Sequence, residues 1–121
     1  MLGKMCDIVQ PWNVSALAQA AGCAALGCSE WVREKKEKIF AEKKYLLGEL
    51  TALGVDHIGG VANFIMLCNV PGLYEKMLEK GILIRSCANY KGLTGSDFRI
   101  AVRTHKENEA LVKALKEIMG A

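Results

Sequence analysis

The sequence predicts an α/β chain of the α+β two-layer type, with a small antiparallel or mixed sheet and helices packed on it. Three observations predict this. Apolar residues recur with a helical period up to Gly54 and with strand-like runs after it. The connections in the second half are short, which suits antiparallel neighbours. No linker or internal repeat divides the 121 residues, so residues 1–121 read as a single domain with one core. The expected order is α, long α, β, β, α, β, β, α.

Each element has a local reason. Residues 1–12 are irregular, and Pro11 holds Gln10 in an extended conformation, so a helix begins only after it. In "NVSALAQAAGCAALG", Asn13 or Ser15 is placed to cap a helix and Gly27 to stop it. Its many small residues imply close packing against another element. Gly22 costs about 1 kcal/mol against alanine in a helix interior, which implies a close approach there.

Ser29 is placed to cap a second helix, which runs to Leu53 with Gly54 just past its end. Val32, Ile39, Leu46 and Leu53 repeat every seven residues, and Phe40, Leu47 and Leu50 widen the stripe. "REKKEK" and "EKK" form a solvated face, supported by opposite charges at helical spacing such as Glu34 and Lys38. "VDHIGG" is a short strand. "VANFIMLCNV" is a longer one, apolar almost throughout, as expected of a strand covered on both faces. Pro71 and Gly72 break it. "LYEKMLEKG" is a short helix with Leu73, Met77 and Leu78 inward. The strand "ILIR", the exposed loop "SCANYKGLTGSD" and the strand "FRIAVR" follow. Thr104 and Glu107 then form a T-x-x-E capping box, opening a helix whose stripe is Leu111, Ala114, Leu115 and Ile118.

Composition excludes several functions. A net charge of +3, with no basic run interleaved with aromatics, argues against nucleic acid. The five cysteines are odd in number and show no C-x-x-C spacing, so they read as buried free thiols of a reducing compartment. His57 and His105 lack ligand-like neighbours, which argues against a metal site. No signal peptide and no apolar run approaching ~20 residues is present, so a cytoplasmic chain with no membrane partner is expected.

The arginines are the unusual feature. In "DFRIAVR" a period of two puts Phe98, Ile100 and Val102 on one face and Arg99, Ala101 and Arg103 on the other. Arg85 ends its strand on the side of Leu83. If both strands share a sheet, Arg85 and Arg99 project into one region. A guanidinium fork holds carboxylate or phosphate through paired, charge-assisted hydrogen bonds. Alternatively, each arginine sits at a strand edge and carries its charge out to water, and spacing alone favours that alternative for Arg99 and Arg103. No G-x-S-x-G, P-loop or glycine-rich fingerprint occurs. Cys87 has no histidine partner and reads as core. Apart from Lys91 in the glycine loop, the lysines sit in charge-rich helix faces.

The segments "PWNVSALAQAAGCAAL", "ANFIMLCNV", "GILIRSCANYKGL" and "FRIAVRTHKENEALVKAL" resemble, in that order, the C-terminal end of class I/II pyridoxal-phosphate aminotransferases. The likeness runs from about Pro11 to Met119 and is to the branch that holds histidinol-phosphate aminotransferase and the threonine-phosphate decarboxylase of cobalamin biosynthesis. "IRSCANYKGL" followed by "FRIAVR" looks most like the decarboxylase. The resemblance implies the C-terminal small domain of fold-type I enzymes. It implies that Arg99 grips a substrate α-carboxylate and Arg85 a distal phosphate. It places Asn13 and Tyr90 near the site without a chemical role, and gives Arg103 no clear function.

No S-x-x-K lysine segment occurs in these 121 residues, and the large domain that carries it in the family is expected to be missing from this chain. Pyridoxal phosphate is therefore expected in the full-length parent, a homodimer acting on a phosphorylated amino acid, and none is expected bound to this chain. The expectation is a substrate-binding small domain of an L-threonine-O-3-phosphate decarboxylase-like enzyme, a fragment inactive without the missing large domain. A histidinol-phosphate aminotransferase-like domain stays open. So does a free-standing module that binds an anionic metabolite or a protein partner.

Overall fold

The computed structural model describes residues 13–120, so the expectation for residues 1–12 lies outside the described residues. They belong to two compact units, one ending at Lys35 and one starting at Lys36. In the first, helix α1 spans Ala16–Leu26 and Ser15 caps it, its hydroxyl accepting from the Ala18 amide at 3.2 Å. The Gly27 amide returns to the Ala24 and Ala25 carbonyls. None of α1 is buried, and a Cβ built at Gly22 meets nothing within 4 Å, so the close approach expected there is not found. The alanines account for the helix by propensity, and Leu17 and Leu26 on it are exposed.

Helix α2 spans Ser29–Ala52. Its first turn is closed by the Cys28 carbonyl, which accepts from Val32 at 3.0 Å. Cys28 thus takes the cap position expected of Ser29, and Ser29 is already helical. Only the later half of the seven-residue stripe is covered. Leu46 and Leu50 are fully buried, whereas Val32, Ile39 and Phe40 are exposed.

The second unit holds the end of α2 and a four-stranded antiparallel sheet: β1 His57–Gly59, β2 Phe64–Leu67, β3 Arg85–Ser86 and β4 Phe98–Ala101, in the order β1-β2-β4-β3. Helix α3 (Leu73–Glu79) precedes β3, and helix α4 (His105–Met119) follows β4. Ile65, Leu67, Phe98 and Ile100 turn to one face. There they join Leu46 and Leu50 of α2, Leu73 and Met77 of α3, and Leu111 and Leu115 of α4 in one core.

Within this unit the end of α2, α3 and α4 pack on that face, giving the two layers expected. It also corrects the reading of "VANFIMLCNV". The strand is four residues long, and its alternate residues Phe64 and Met66 face away from the core, because a single helical layer covers one side. "ILIR" likewise enters the ladder only at Arg85. In α3, Leu73 and Met77 define the buried face one turn apart, and Leu78, about 100° round the helix, is exposed.

The capping box at α4 is present as read. The Glu107 carboxylate accepts from the Thr104 amide at 3.2 Å and its hydroxyl at 2.6 Å. Ion pairs Lys116–Glu49 (2.7 Å) and Lys80–Glu117 (2.5 Å) rim the helical layer.

The thiols divide. Cys87 is buried and Cys68 half-buried, but Cys23 and Cys28 are exposed, against the expectation of a buried set, and Cys6 lies outside the described residues. Both exposed thiols fall on or beside α1, none of whose residues is buried. Burial, with Asp97 and Asp56 nearby, raises the Cys68 pKa. Among the described residues no group of three His, Cys, Asp or Glu is placed to hold a metal, and no helix is long and apolar enough to cross a membrane.

Candidate functional site

The register decides where the arginines stand. Ile58 pairs with Met66, Met66 with Arg99, and Arg99 with Arg85, a row across all four strands on the face away from the helices. Arg85 and Arg99 are thus direct cross-strand partners. Phe64 shares that face, and its ring lies under the Arg99 guanidinium, 4.3 Å from carbon to centroid, a cation–π stack. Arg103, exposed on the same side, is already occupied. Its guanidinium meets Glu107 at 2.7 Å, which raises the arginine's pKa and, with Thr104, holds the Glu107 carboxyl at about 2. Among the described residues no carboxylate pairs with Arg85 or Arg99.

Two depressions meet at Arg99. A cleft of about 570 Å³ is walled by Phe64, Ile82, Leu83, Ile84 and Ala101, with Arg85 and Arg99 in its lining and Asn108 and Glu107 on the α4 side. A recess of about 360 Å³ lies on the other side of Arg99, lined by Ile58, Gly60, Ala62, Phe64, Met66, Cys87, Tyr90 and Leu93. Arg99 and Phe64 border both. Apolar walls lower the local dielectric and strengthen the pull of two unpaired guanidiniums on an anion.

Buried polar groups hold these walls. Asn108 donates to Glu42 at 2.9 Å and to the Arg103 carbonyl at 3.0 Å, and accepts from the Arg103 amide at 3.1 Å. The Asn108 hydrogen bond is the main cause of a lowered Glu42 pKa, with His105 adding to it against the effect of burial. Glu42 in turn raises the pKa of His105. Asp97 secures the loop that carries Tyr90. It accepts from the Thr94 amide at 2.7 Å, the Thr94 hydroxyl at 2.8 Å and the Asn69 amide at 3.3 Å, and the Thr94 bonds lower its pKa.

The structure therefore sets Arg99 opposite Arg85 and in the same recess as Tyr90. Asn13 belongs to the first unit, where it is exposed two residues before the Ser15 cap. Lys91 is exposed and lines neither depression. Sequence reasoning missed Phe64, although its alternation with Ile65 and Leu67 places it on the arginine face. It also missed Lys43, which is buried three residues before Leu46 on the covered stripe.

Among the described residues, those lining the cleft and the recess do not make a pyridoxal-phosphate site. No lysine lines the cleft or the recess, and the buried amine of Lys43 is already engaged by the carbonyls of Gly60 and Ala62.

A family model for aminotransferase class I and II matches residues 1–115. The chain is 38% identical over 116 residues to a histidinol-phosphate aminotransferase of Anaeromyxobacter, covering 92% of the chain and 31% of that relative. It is 37% identical over 119 residues to the threonine-phosphate decarboxylase of Salmonella typhimurium, covering 90% of the chain and 31% of that relative. It spans about a third of the length of these curated relatives. The crystal structure of the histidinol-phosphate aminotransferase of Clostridium acetobutylicum superposes with a TM-score of 0.80 at 30% identity, over 93% of this chain and 35% of that one. The four helices and antiparallel sheet match the small domain of fold-type I aminotransferase structures. The chain belongs to the class I and II aminotransferase family.

Proposed function

We propose that residues 1–121 act as one domain, the substrate-binding small domain of an L-threonine-O-3-phosphate decarboxylase-like enzyme. The observation that carries this reading is the cross-strand pair of Arg85 and Arg99 on an apolar, uncovered sheet face. Two guanidiniums one strand apart suit a small ligand with two anionic groups. Arg99, stacked and half-buried, takes the α-carboxylate, and Arg85, at the exposed edge, takes the phosphate. The carboxylate grip fixes which bond at the substrate's α-carbon is presented for reaction. The phosphate grip supplies remote binding energy for that orientation. Tyr90 stands at the rim of the recess.

Pyridoxal phosphate is assigned to the whole protein, where it supplies an electron sink, and its anchoring lysine is assigned outside this chain. The whole protein is read as a cytoplasmic homodimer without nucleic-acid or membrane partners, and this chain as inactive alone. Family membership weighs against a free-standing module.

Histidinol-phosphate aminotransferase-like chemistry is the second reading, favoured by the 38% identical relative and the TM-score of 0.80. Calorimetric titration of this chain separates the two. The decarboxylase reading expects O-phospho-L-threonine to bind at least ~10-fold tighter than O-phosphoethanolamine, which lacks the carboxylate, since a hydrogen bond to a charged group contributes about 1.5–3 kcal/mol. Tighter binding of histidinol phosphate than of O-phospho-L-threonine would favour the aminotransferase. Binding of none of them would overturn both.

A further inference from the structure

Lys43 is the one buried lysine among the described residues. It stands on α2 in line with Leu46 and Leu50, where an uncompensated ammonium would be costly. Compensation comes from the connection between β1 and β2. The Lys43 amine donates to the Gly60 carbonyl and, at 2.5 Å, to the Ala62 carbonyl. These acceptors flank Val61, whose side chain is 98% exposed, so the turn has its carbonyls drawn to the helix and its side chain thrown outward.

One helical turn further, Leu47 lies against Gly59. A Cβ built at Gly59 would sit 3.0 Å from a Leu47 methyl, so helix and hairpin meet at a separation that glycine allows. The far end of the turn is fixed too, the Asn63 carbonyl accepting from the Val102 amide at 2.9 Å. The next residue is Phe64.

We infer that Lys43 is a positioning residue for Arg99. Its ammonium fixes the turn over residues 60–63, the turn fixes where the Phe64 ring stands, and the ring holds the Arg99 guanidinium by stacking. Gly60 and Ala62 are also walls of the Arg99 recess, so the same two bonds shape the space beside the guanidinium. Lys43 touches no ligand in this arrangement and works through backbone it restrains. The functional value of the device rests on reading Arg99 as a ligand-binding residue, whereas its mechanical part does not.

The test uses this chain without ligand. The side-chain Nε–H of Arg99 is followed by NMR, since the Phe64 ring current displaces it. Lys43→Met fills the same space and leaves both carbonyls without their donor. The Arg99 signal is expected to move towards its unstacked position and to exchange with water at least ~10-fold faster, an opening of the local structure. The Arg85 and Arg103 signals are expected to stay, and Lys43→Arg to restore Arg99. An unmoved Arg99 signal in folded Lys43→Met would overturn the inference. Should Lys43→Met fail to fold, Lys43→Gln keeps one donor group and is expected to give a partial displacement, with none counting equally against it.

Titration gives a second readout. Lys43→Met is expected to weaken O-phospho-L-threonine at least ~5-fold and inorganic phosphate less than ~2-fold, because a loosened Arg99 loses the carboxylate bond alone. Equal loss of both ligands would overturn the inference. An unsubstituted chain that binds neither ligand would sink the anion-site reading, while the ligand-free spectrum still decides the role of Lys43.

Discussion

Arg85 and Arg99 stand directly opposite each other in the β3–β4 pair, on the sheet face opposite the core. Like charges in that register are destabilising, and no carboxylate among the described residues relieves them. A fold that keeps such a pair is under-stabilised at the spot where an anion would help most. Arg85→Gln is therefore expected to raise stability by a few tenths of a kcal/mol at low salt, and the gain to vanish near ~0.5 M salt as screening removes the repulsion. Urea denaturation at two salt concentrations checks this. A loss of stability would mean that Arg85 has a structural partner.

Acid should act first through Glu107. Its folded pKa of about 2 lies below the ordinary 4.5, chiefly because of the Arg103 hydrogen bond and then the Thr104 hydroxyl and amide. A depressed carboxyl contributes stability above the unfolded value that is lost as pH falls through the folded one. The urea midpoint should therefore fall between about pH 4.5 and pH 2, and Glu107→Gln should flatten that limb. An unchanged limb would assign acid unfolding to other carboxyls, Asp97 first.

The alkaline side belongs to His105. Its pKa is raised, mainly by the hydrogen bond to Glu42, which joins α4 to α2. The stability it adds is complete below the ordinary 6.5 and is lost as pH rises through the higher folded value. His105→Gln should abolish a decline in urea midpoint above about pH 6.5.

Asn108 is buried, and its amide ties Glu42 to the backbone of Arg103. Asn108→Ala removes both ends of this bridge and is expected to cost about 2–4 kcal/mol, since each buried polar group left without a partner costs about 1–3 kcal/mol. Thermal denaturation measures it. A cost below ~0.5 kcal/mol would mean that water replaces the amide without loss.

Much of this was legible in the sequence, for reasons particular residues make plain. Phe98, Ile100 and Val102 announce a covered strand face by alternation, and Thr104 with Glu107 announces the start of α4. The placement of Arg85 opposite Arg99 was legible only as a condition, because a two-residue strand owes its register to the tertiary fold. The uncovered face of β2 was misread because an apolar run is the same whether a second layer covers it or a ligand site uses it. Lys43 reads as one of the solvated lysines of α2, since nothing local reveals that the carbonyls 17 and 19 residues further on receive its amine. Gly22 was given a packing role that alanine-rich propensity makes unnecessary.

The central claim is that Arg85 and Arg99 form one clamp for a ligand with two anionic groups. Titrating O-phospho-L-threonine into the unsubstituted chain, Arg85→Gln, Arg99→Gln and the double variant tests it most directly. The account predicts that each single change weakens binding at least ~10-fold, that Arg99→Gln alone erases the preference over O-phosphoethanolamine, and that the double variant shows no binding. Equal affinity in all four proteins would contradict it and leave the two arginines as charges at a sheet edge.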